Sequence, residues 1–134
     1  MPTMSVSLRN VPGTQAAIGW AGEHTVVIDR AEGKAGGMGL GFNGGQMIAL
    51  AIGGCFCNDL RYVAEKMAIS IASLEVEVTI KLEGEPLVVT RADMTAKIGL
   101  SGDGDVAELL RRAENDSTVS NSVKAGFPVT IRAA

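Results

Sequence analysis

Two thiols lie close together in the middle of the only long apolar stretch of the chain. Cys55 directly follows Gly53 and Gly54, and Cys57 comes two residues later. A glycine within a helix costs about 1 kcal/mol relative to alanine, so the two glycines predict that a packed helix or subunit comes close here. A thiol at such a position is either a small buried hydrophobic group or a reactive nucleophile. Composition alone leaves both interpretations open.

The spacing of the two thiols argues against a redox or metal pair. Side chains two positions apart on a helix point about 200° apart, so a disulfide between Cys55 and Cys57 is disfavoured. A zinc site needs more ligands than two thiols, and His24 is the only histidine. We therefore expect no metal and no bound cofactor, and both cysteines are expected to be reduced.

Asp59 is the acidic residue that helical spacing places beside Cys55. The two positions are four residues apart and share one face of a helix. A neighbouring negative charge disfavours a thiolate, so Asp59 does not activate the thiol through its charge. Such a carboxylate more often pairs with an arginine, either Arg61 or one from elsewhere.

A glycine-rich string before the apolar stretch matches a nucleotide-binding pattern. Residues Gly39 to Gly44 read GxGxxG. In dinucleotide-binding proteins this pattern follows a strand directly and opens a helix, whereas the preceding predicted strand ends near Asp29. The context predicts a loop and not a dinucleotide site.

Length and charge limit the functional classes. The 134 residues predict a single domain over residues 1–134, and the net charge of -3 with a pI near 5.1 makes nucleic acid an unsuitable partner. The apolar run from Gln46 to Cys57 is interrupted by glycines and is shorter than the roughly 20 residues of a membrane span. The N-terminus has no signal-peptide pattern, so a cytoplasmic protein without a membrane partner is expected. At 46% hydrophobic residues, part of the apolar surface is expected to close a subunit interface.

The chain alternates between strand and helix patterns in an order that predicts an α+β fold. Antiparallel sheets are expected to pack against a long central helix, which is buried because it is apolar on all sides. Either Asp103 or Asp105 can cap the second helix. The predicted elements, in the order βββ-α-ββ-α-α-β, are strands at 3–10, 15–20 and 24–29, a helix from Gln46 to about Met67, a hairpin from Leu74 to near Leu100, helices to about Asn115 and at Ser117 to Lys124, and a last strand at Pro128 to Arg132.

Several of these segments together resemble the OsmC/Ohr family, named for osmotically inducible protein C and organic hydroperoxide resistance protein. The similarity covers nearly the whole chain. It rests on the glycine-rich loop that leads into Asn43 to Met47, on Gly54-Cys55 in the central helix, on the strand from Ile69 to Leu82, and on the closing string from Ser117 to Ser122. The resemblance implies an OsmC-like fold, an intertwined homodimer with the thiol sites at its interface, and peroxide reduction by a cysteine at the position of Cys55.

The chain departs from the family pattern at several site positions. Ser117 stands where the family has a second, resolving cysteine, and Gly45 stands where it has a glutamate that orients an activating arginine. Arg30 is the nearest candidate for that arginine. Cys57 lies on the wrong side of the helix to replace the missing cysteine.

Two functions follow from the resemblance. In the first, Cys55 is the catalytic thiol of a one-cysteine peroxidase for organic hydroperoxides, recycled by an external thiol, with Asp59, Arg30 and Ser117 as accessory residues. In the alternative, a non-catalytic OsmC-like dimer binds a small hydrophobic or thiol-reactive ligand near Cys55.

Overall fold

The computed structural model describes all 134 residues, which divide into two compact units, residues 1–48 and residues 49–134. Antiparallel sheets combined with helices confirm the predicted α+β class. The expectation of a single domain stays a prediction. In chain order the elements are β1 (Ser7–Asn10), β2 (Ala17–Ala21), β3 (His24–Ile28), α1 (Gly44–Lys66), β4 (Ile71–Glu83), β5 (Val88–Leu100), α2 (Val106–Asp116) and α3 (Thr118–Ala125).

The first unit is built on a three-stranded antiparallel sheet with the order β1-β2-β3. The turn between β2 and β3 places Ala21 opposite His24. β1 begins at Ser7, later than predicted, because Ser7 pairs with Trp20 and β2 ends one residue further on. Residues before Ser7 therefore have almost no strand to pair with.

A buried carboxylate organises the glycine-rich loop that follows β3. Asp29 is only 3% exposed. Its Oδ2 accepts hydrogen bonds from the backbone N–H groups of Met38 and Leu40, both at 3.0 Å, and its Oδ1 accepts one from the N–H of Arg30 at 2.8 Å. One side chain thus ties both ends of the loop together.

The glycine-rich string that matches GxGxxG has a packing role in this loop. Gly41 lies directly against the backbone of Val27, and a Cβ atom at this position would clash with the Val27 carbonyl. The next residue, Phe42, forms a parallel bridge with Ile28. Glycine is therefore needed at position 41 for close approach of two backbone segments.

We expect Asp29→Asn to make the first unit less stable near neutral pH and to remove part of its acid sensitivity. The backbone hydrogen bonds from Leu40 and then Met38 hold the pKa of Asp29 below its ordinary value of 3.8. A lowered pKa in the folded state stabilises the fold above the unfolded value, and this contribution is lost as the pH falls through the folded value. The difference in urea midpoint between the two proteins should be full near pH 7 and should shrink below pH 3.8. A difference that stays constant down to pH about 3 would contradict this role.

α1 begins two residues before the predicted start because it has a capping box. Asn43 Oδ1 accepts the N–H of Gln46 at 2.9 Å, and Gln46 Oε1 accepts the N–H of Asn43 at 3.0 Å. This reciprocal pair satisfies two backbone donors at the helix start. One face of the helix is buried, through Ile52, Gly53, Phe56, Asp59, Leu60, Val63 and Ala64.

α1 also has the length and composition of a membrane-crossing helix, although the apolar run in the sequence is shorter. It has 23 residues, and its most apolar 18-residue window has a mean hydropathy of 1.2 and is 39% buried within the protein. The core helix of a globular domain meets the same criteria. The buried residues of α1 include members of the core cluster, so length and composition alone assign no membrane role.

The core of the second unit lies between α1, α2 and the β4–β5 hairpin. Leu60 and Leu109 are fully buried, and Val63 is nearly so. Leu74 and Ile98, which face each other across the hairpin, pack against this cluster. Of the two predicted capping residues, Asp105 caps α2, because its Oδ1 accepts the N–H of Glu108 at 3.1 Å.

The two glycines before Cys55 have different surroundings. A Cβ atom on Gly53 would lie 2.8 Å from Cγ2 of Val78, whereas one on Gly54 would meet nothing within 4 Å. Gly53 is therefore explained by the packing of α1 on β4 and not by a second subunit. Gly54 is exposed, so its predicted place at a subunit interface stays a prediction.

Alanine substitutions at these positions are expected to act in opposite directions. Gly53→Ala should lower the free energy of unfolding by about 1 to 3 kcal/mol, because the added methyl group overlaps Val78. Gly54→Ala should raise it by up to about 1 kcal/mol through helix propensity, while weakening any dimer that needs close approach at this position. Urea unfolding and light scattering of both variants measure these effects. Equal destabilisation of the two variants would contradict the assigned packing.

The predicted last strand at Pro128 to Arg132 is wrong for this chain. After α3 no strand forms, and residues 126–134 adopt no regular structure. A strand needs a neighbour to satisfy its backbone groups, and the segment makes no backbone hydrogen bond after that of Gly126 to Ser122. Its apolar side chains are consequently exposed.

Candidate active site

Cys55 lies in the middle of α1, at the border of the buried face. It is half-buried and forms no disulfide. Its neighbour Phe56 is buried in the core, whereas Gly54 on the other side is exposed. The sulfur is thus attached to the middle of a long helix, at the border between its buried and its exposed residues.

Asp59 is the first polar partner of this thiol. The Cys55 Sγ–H donates to Oδ2 of Asp59 across 3.5 Å, as the spacing of four residues predicts. Asp59 is 8% exposed and forms no ion pair in this structure. The predicted pairing with Arg61 is wrong, because the guanidinium of Arg61 donates instead to the carbonyl of Ile71 at 3.1 Å. Two positions along a helix place Asp59 and Arg61 on different faces.

Ser117 is the second polar partner and comes from a distant part of the chain. It is fully buried at the junction of α2 and α3, and its Oγ–H donates to Cys55 Sγ across 3.9 Å. The hydroxyl makes no capping hydrogen bond to α3, so its proton remains available to the sulfur. The position that the resemblance assigned to a resolving cysteine therefore does lie beside Cys55.

These three side chains form a compact polar group against the apolar core. The sulfur has a carboxylate that can accept its proton and a hydroxyl that can donate to a sulfur anion. No other side chain is hydrogen-bonded to the sulfur. A thiolate is the nucleophilic form of cysteine, so this arrangement supplies a proton acceptor and one donor for that form.

Arg30 and Cys57, the other polar candidates, have separate environments. Arg30 belongs to the first unit, where its guanidinium donates to the carbonyl of Gln15 at 2.7 Å and lies 3.5 Å from Oδ1 of Asp29. Cys57 is half-buried and makes no hydrogen bond through its sulfur. Cys57 therefore does not join the group formed around Cys55 in the second unit.

A cavity in the second unit was not anticipated from the sequence. It has a volume of about 600 Å³ and is lined on α1 by Ile52 and Phe56, whereas Cys55, Asp59 and Ser117 do not line it. Its other walls come from β5 and the last two helices. The period-two pattern of β5 predicts which of its side chains share a face of the sheet. No local sequence pattern predicts that α1, β5, α2 and α3 come together around a cavity.

Comparison with known proteins decides the family. A family model described as OsmC-like protein matches residues 36–132. The chain belongs to the OsmC family. No curated protein sequence matches it.

Solved structures of OsmC-like proteins share this fold. An OsmC-like protein of unknown function from Vibrio cholerae is 12% identical with a TM-score of 0.80, over 92% of this chain and 95% of that chain. An OsmC-like protein from Mycoplasma pneumoniae is 12% identical with a TM-score of 0.76, over 92% and 88%. The organic hydroperoxide resistance protein OhrB of Bacillus subtilis is 22% identical with a TM-score of 0.60, over 91% and 90%. These likenesses confirm the predicted OsmC-like fold.

Proposed function

We propose that this OsmC family member reduces organic hydroperoxides with Cys55 as its single reactive thiol. The observation that carries the proposal is the pair of buried polar groups on one sulfur: Asp59 accepts from the thiol and Ser117 donates to it. A cysteine kept only for packing needs neither partner. The organic hydroperoxide resistance proteins among the similar structures support a role in hydroperoxide resistance.

In the first step, the Cys55 sulfur attacks the outer oxygen of the hydroperoxide. A sulfur–oxygen bond forms, the oxygen–oxygen bond breaks, and the electron pair leaves on the alkoxide. Asp59 takes the thiol proton as the sulfur attacks, and this proton passes to the alkoxide to give an alcohol. The hydroxyl proton of the hydroperoxide ends on the sulfur-bound oxygen, so the product at Cys55 is a sulfenic acid.

In the second step, an external thiol returns Cys55 to its reduced form. The first external thiol condenses with the sulfenic acid to a mixed disulfide and releases water, and a second one frees Cys55 and leaves as a disulfide. An internal route needs a second cysteine, and Ser117 has a hydroxyl at that place. The proposed reductant is therefore a small-molecule or protein thiol.

Ser117 serves in this scheme as a fixed hydrogen-bond donor. Its hydroxyl is fully buried and points at the sulfur, so it stabilises negative charge on the sulfur during attack. Reactive thiols in general have a lowered pKa because a positive charge lies nearby. In the second unit, the hydrogen-bond partners of Cys55 include no positively charged group. We propose Arg30 as the source of that charge in a cytoplasmic homodimer, where Gly54 allows close packing of two α1 helices.

Consumption of an alkyl hydroperoxide by the purified protein in the presence of dithiothreitol tests this function. The proposal predicts turnover over many equivalents, with a rate that depends on the thiol concentration. Absence of turnover, together with binding of an environment-sensitive apolar dye, would instead support the alternative of a binding protein.

A further inference from the structure

Asp59 is a buried carboxylate whose only hydrogen-bond partner within the chain is the thiol of Cys55. The residue is 8% exposed, and no lysine, arginine or histidine forms an ion pair with it. Buried carboxylates in proteins are normally paired with a cation or with several hydrogen-bond donors. The negative charge of Asp59 is therefore not neutralised within the chain, and it acts at short range on any group attached to the sulfur.

The oxidised form of Cys55 has no second thiol positioned to react with it. Ser117 places a hydroxyl, and not a thiol, 3.9 Å from the sulfur. Cys57, the other cysteine, is two positions along the helix and points about 200° away. A sulfenic acid at Cys55 therefore persists until an external thiol arrives. During that time a second hydroperoxide can oxidise it irreversibly to a sulfinic acid.

This second oxidation proceeds through the ionised sulfenic acid. Its S–O⁻ form is the stronger nucleophile, just as a thiolate is a stronger nucleophile than a thiol. The sulfur attacks the outer oxygen of the second hydroperoxide, a new sulfur–oxygen bond forms, and the oxygen–oxygen bond breaks. Sulfur loses two electrons and the hydroperoxide gains them. The hydroxyl proton of the hydroperoxide passes to the alkoxide, so the products are a sulfinate and an alcohol. Any group that disfavours the S–O⁻ form slows this step.

The position of Asp59 favours the neutral S–OH form. Its Oδ2 lies 3.5 Å from the Cys55 Sγ. Rotation about the Cβ–Sγ bond brings a sulfenic oxygen to the side toward which the thiol hydrogen points in the reduced protein. A bent S–O–H group then donates to Oδ2 over about 2.6 Å without a movement of α1. An ionised carboxylate accepts hydrogen bonds and donates none, so it has no donor for S–O⁻ and repels its charge.

We propose that Asp59 stops the oxidation of Cys55 at the sulfenic acid. In the proposed peroxidase reaction the same carboxylate assists the first oxidation, because there the proton has to leave the attacking sulfur itself. In the sulfenic acid the proton is on oxygen, and the hydrogen bond to Asp59 holds it there. One buried anion thus has opposite effects on the two oxidations. This inference rests on the proposed peroxidase function, since a sulfenic acid must form first.

Asp59→Asn tests the inference, because the amide has nearly the same shape but offers an N–H donor to S–O⁻ in place of a charge. Reduced protein receives an excess of an alkyl hydroperoxide without thiol, and mass spectrometry follows the forms of Cys55 with one and two added oxygens. We expect the first oxidation to become slower. The second should become about tenfold faster, the effect that one neighbouring charge has on an ionisation equilibrium. Loss of a general base alone would slow both steps, and a loosened fold would speed both.

Asp59→Glu and Asp103→Asn are the control variants. Glutamate keeps a carboxylate near the sulfur, so its second oxidation should be slower than that of Asp59→Asn. Asp103 is exposed and does not cap α2, so Asp103→Asn should leave both rates within about twofold of wild type. A positive charge from a second copy, as proposed above, would be present in wild type and variants alike. The comparison therefore isolates the carboxylate of Asp59.

The wild-type protein supplies a measurement that does not depend on the folding of any variant. Its second oxidation should be at least about tenfold slower than its first. Equal rates for these two steps would overturn the inference, and so would a second oxidation in Asp59→Asn that is as slow as in wild type or slower. Both results leave the peroxidase proposal intact, because Cys55 still forms a sulfenic acid. If no sulfenic acid forms at Cys55, the peroxidase proposal is rejected and this inference with it.

Discussion

Replacement of Cys55 by serine is expected to reduce peroxide consumption to the rate of dithiothreitol alone. A serine hydroxyl is a far weaker nucleophile than a thiolate, and loss of the nucleophile removes most of the rate enhancement in enzymes that depend on one. We expect a loss of about a thousandfold or more in kcat/KM for an alkyl hydroperoxide. The measurement is the initial rate of hydroperoxide loss at fixed thiol concentration.

Cys57→Ser is the matched control for this experiment. Cys57 is a half-buried cysteine on the same helix, but its sulfur has no hydrogen-bond partner. Its substitution should leave the rate within about twofold of wild type, since surface and partly buried changes away from a site have small effects. Equal rates for wild type and Cys55→Ser would remove Cys55 from the mechanism. A loss that occurs only in Cys57→Ser would move the reaction to the other thiol.

Ser117→Cys is expected to turn the protein into one that forms an internal disulfide on treatment with peroxide. The Ser117 hydroxyl oxygen lies 3.9 Å from Cys55 Sγ, so a sulfur at this place needs only a small shift to form a bond. The sulfenic acid at Cys55 would be attacked by the new thiol and would release water. Non-reducing electrophoresis should show a faster-migrating monomer after one equivalent of hydroperoxide.

The disulfide should also raise the stability of the oxidised variant. It closes a loop between residues that are 62 positions apart, which corresponds to about 4 kcal/mol in the chain-entropy model. Ser120→Cys, one turn further along α3 and in the wall of the cavity beside β5, is the control and should form no such bond. The Ser117→Cys variant has three cysteines, so an internal disulfide should leave only Cys57 free. If Cys55 reacts with peroxide in wild type but the oxidised variant retains two free thiols, the geometry assigned to Ser117 is wrong.

The local parts of the site could be predicted from the sequence. The helical period alone places Asp59 beside Cys55, and the hydrogen bond between them confirms this proximity. Ser117 is different, because no periodicity relates two positions that are 62 residues apart. Only the family resemblance indicated its place, and the structure does bring it to the sulfur. Its contribution to the reaction stays a prediction.

The failures in the fold have a common physical cause. The period-two pattern at 128–132 is a correct sign of strand tendency, but a strand forms only where a neighbour can pair with it, and this chain supplies none. In the same way, two adjacent glycines look equivalent in sequence, whereas Gly53 packs against Val78 and Gly54 faces open space. Such differences depend on which face of α1 meets β4, and tertiary packing determines that choice.

Trapping of the oxidised thiol is the most direct test of the proposed chemistry. The reduced protein is treated with one equivalent of an alkyl hydroperoxide in the presence of a nucleophile specific for sulfenic acids. Fragment-ion sequencing then locates the adduct, which is necessary because Cys55 and Cys57 fall in one tryptic peptide. The proposed mechanism predicts the adduct on Cys55 with Cys57 unmodified. An unmodified Cys55 after complete exposure to the hydroperoxide would contradict it.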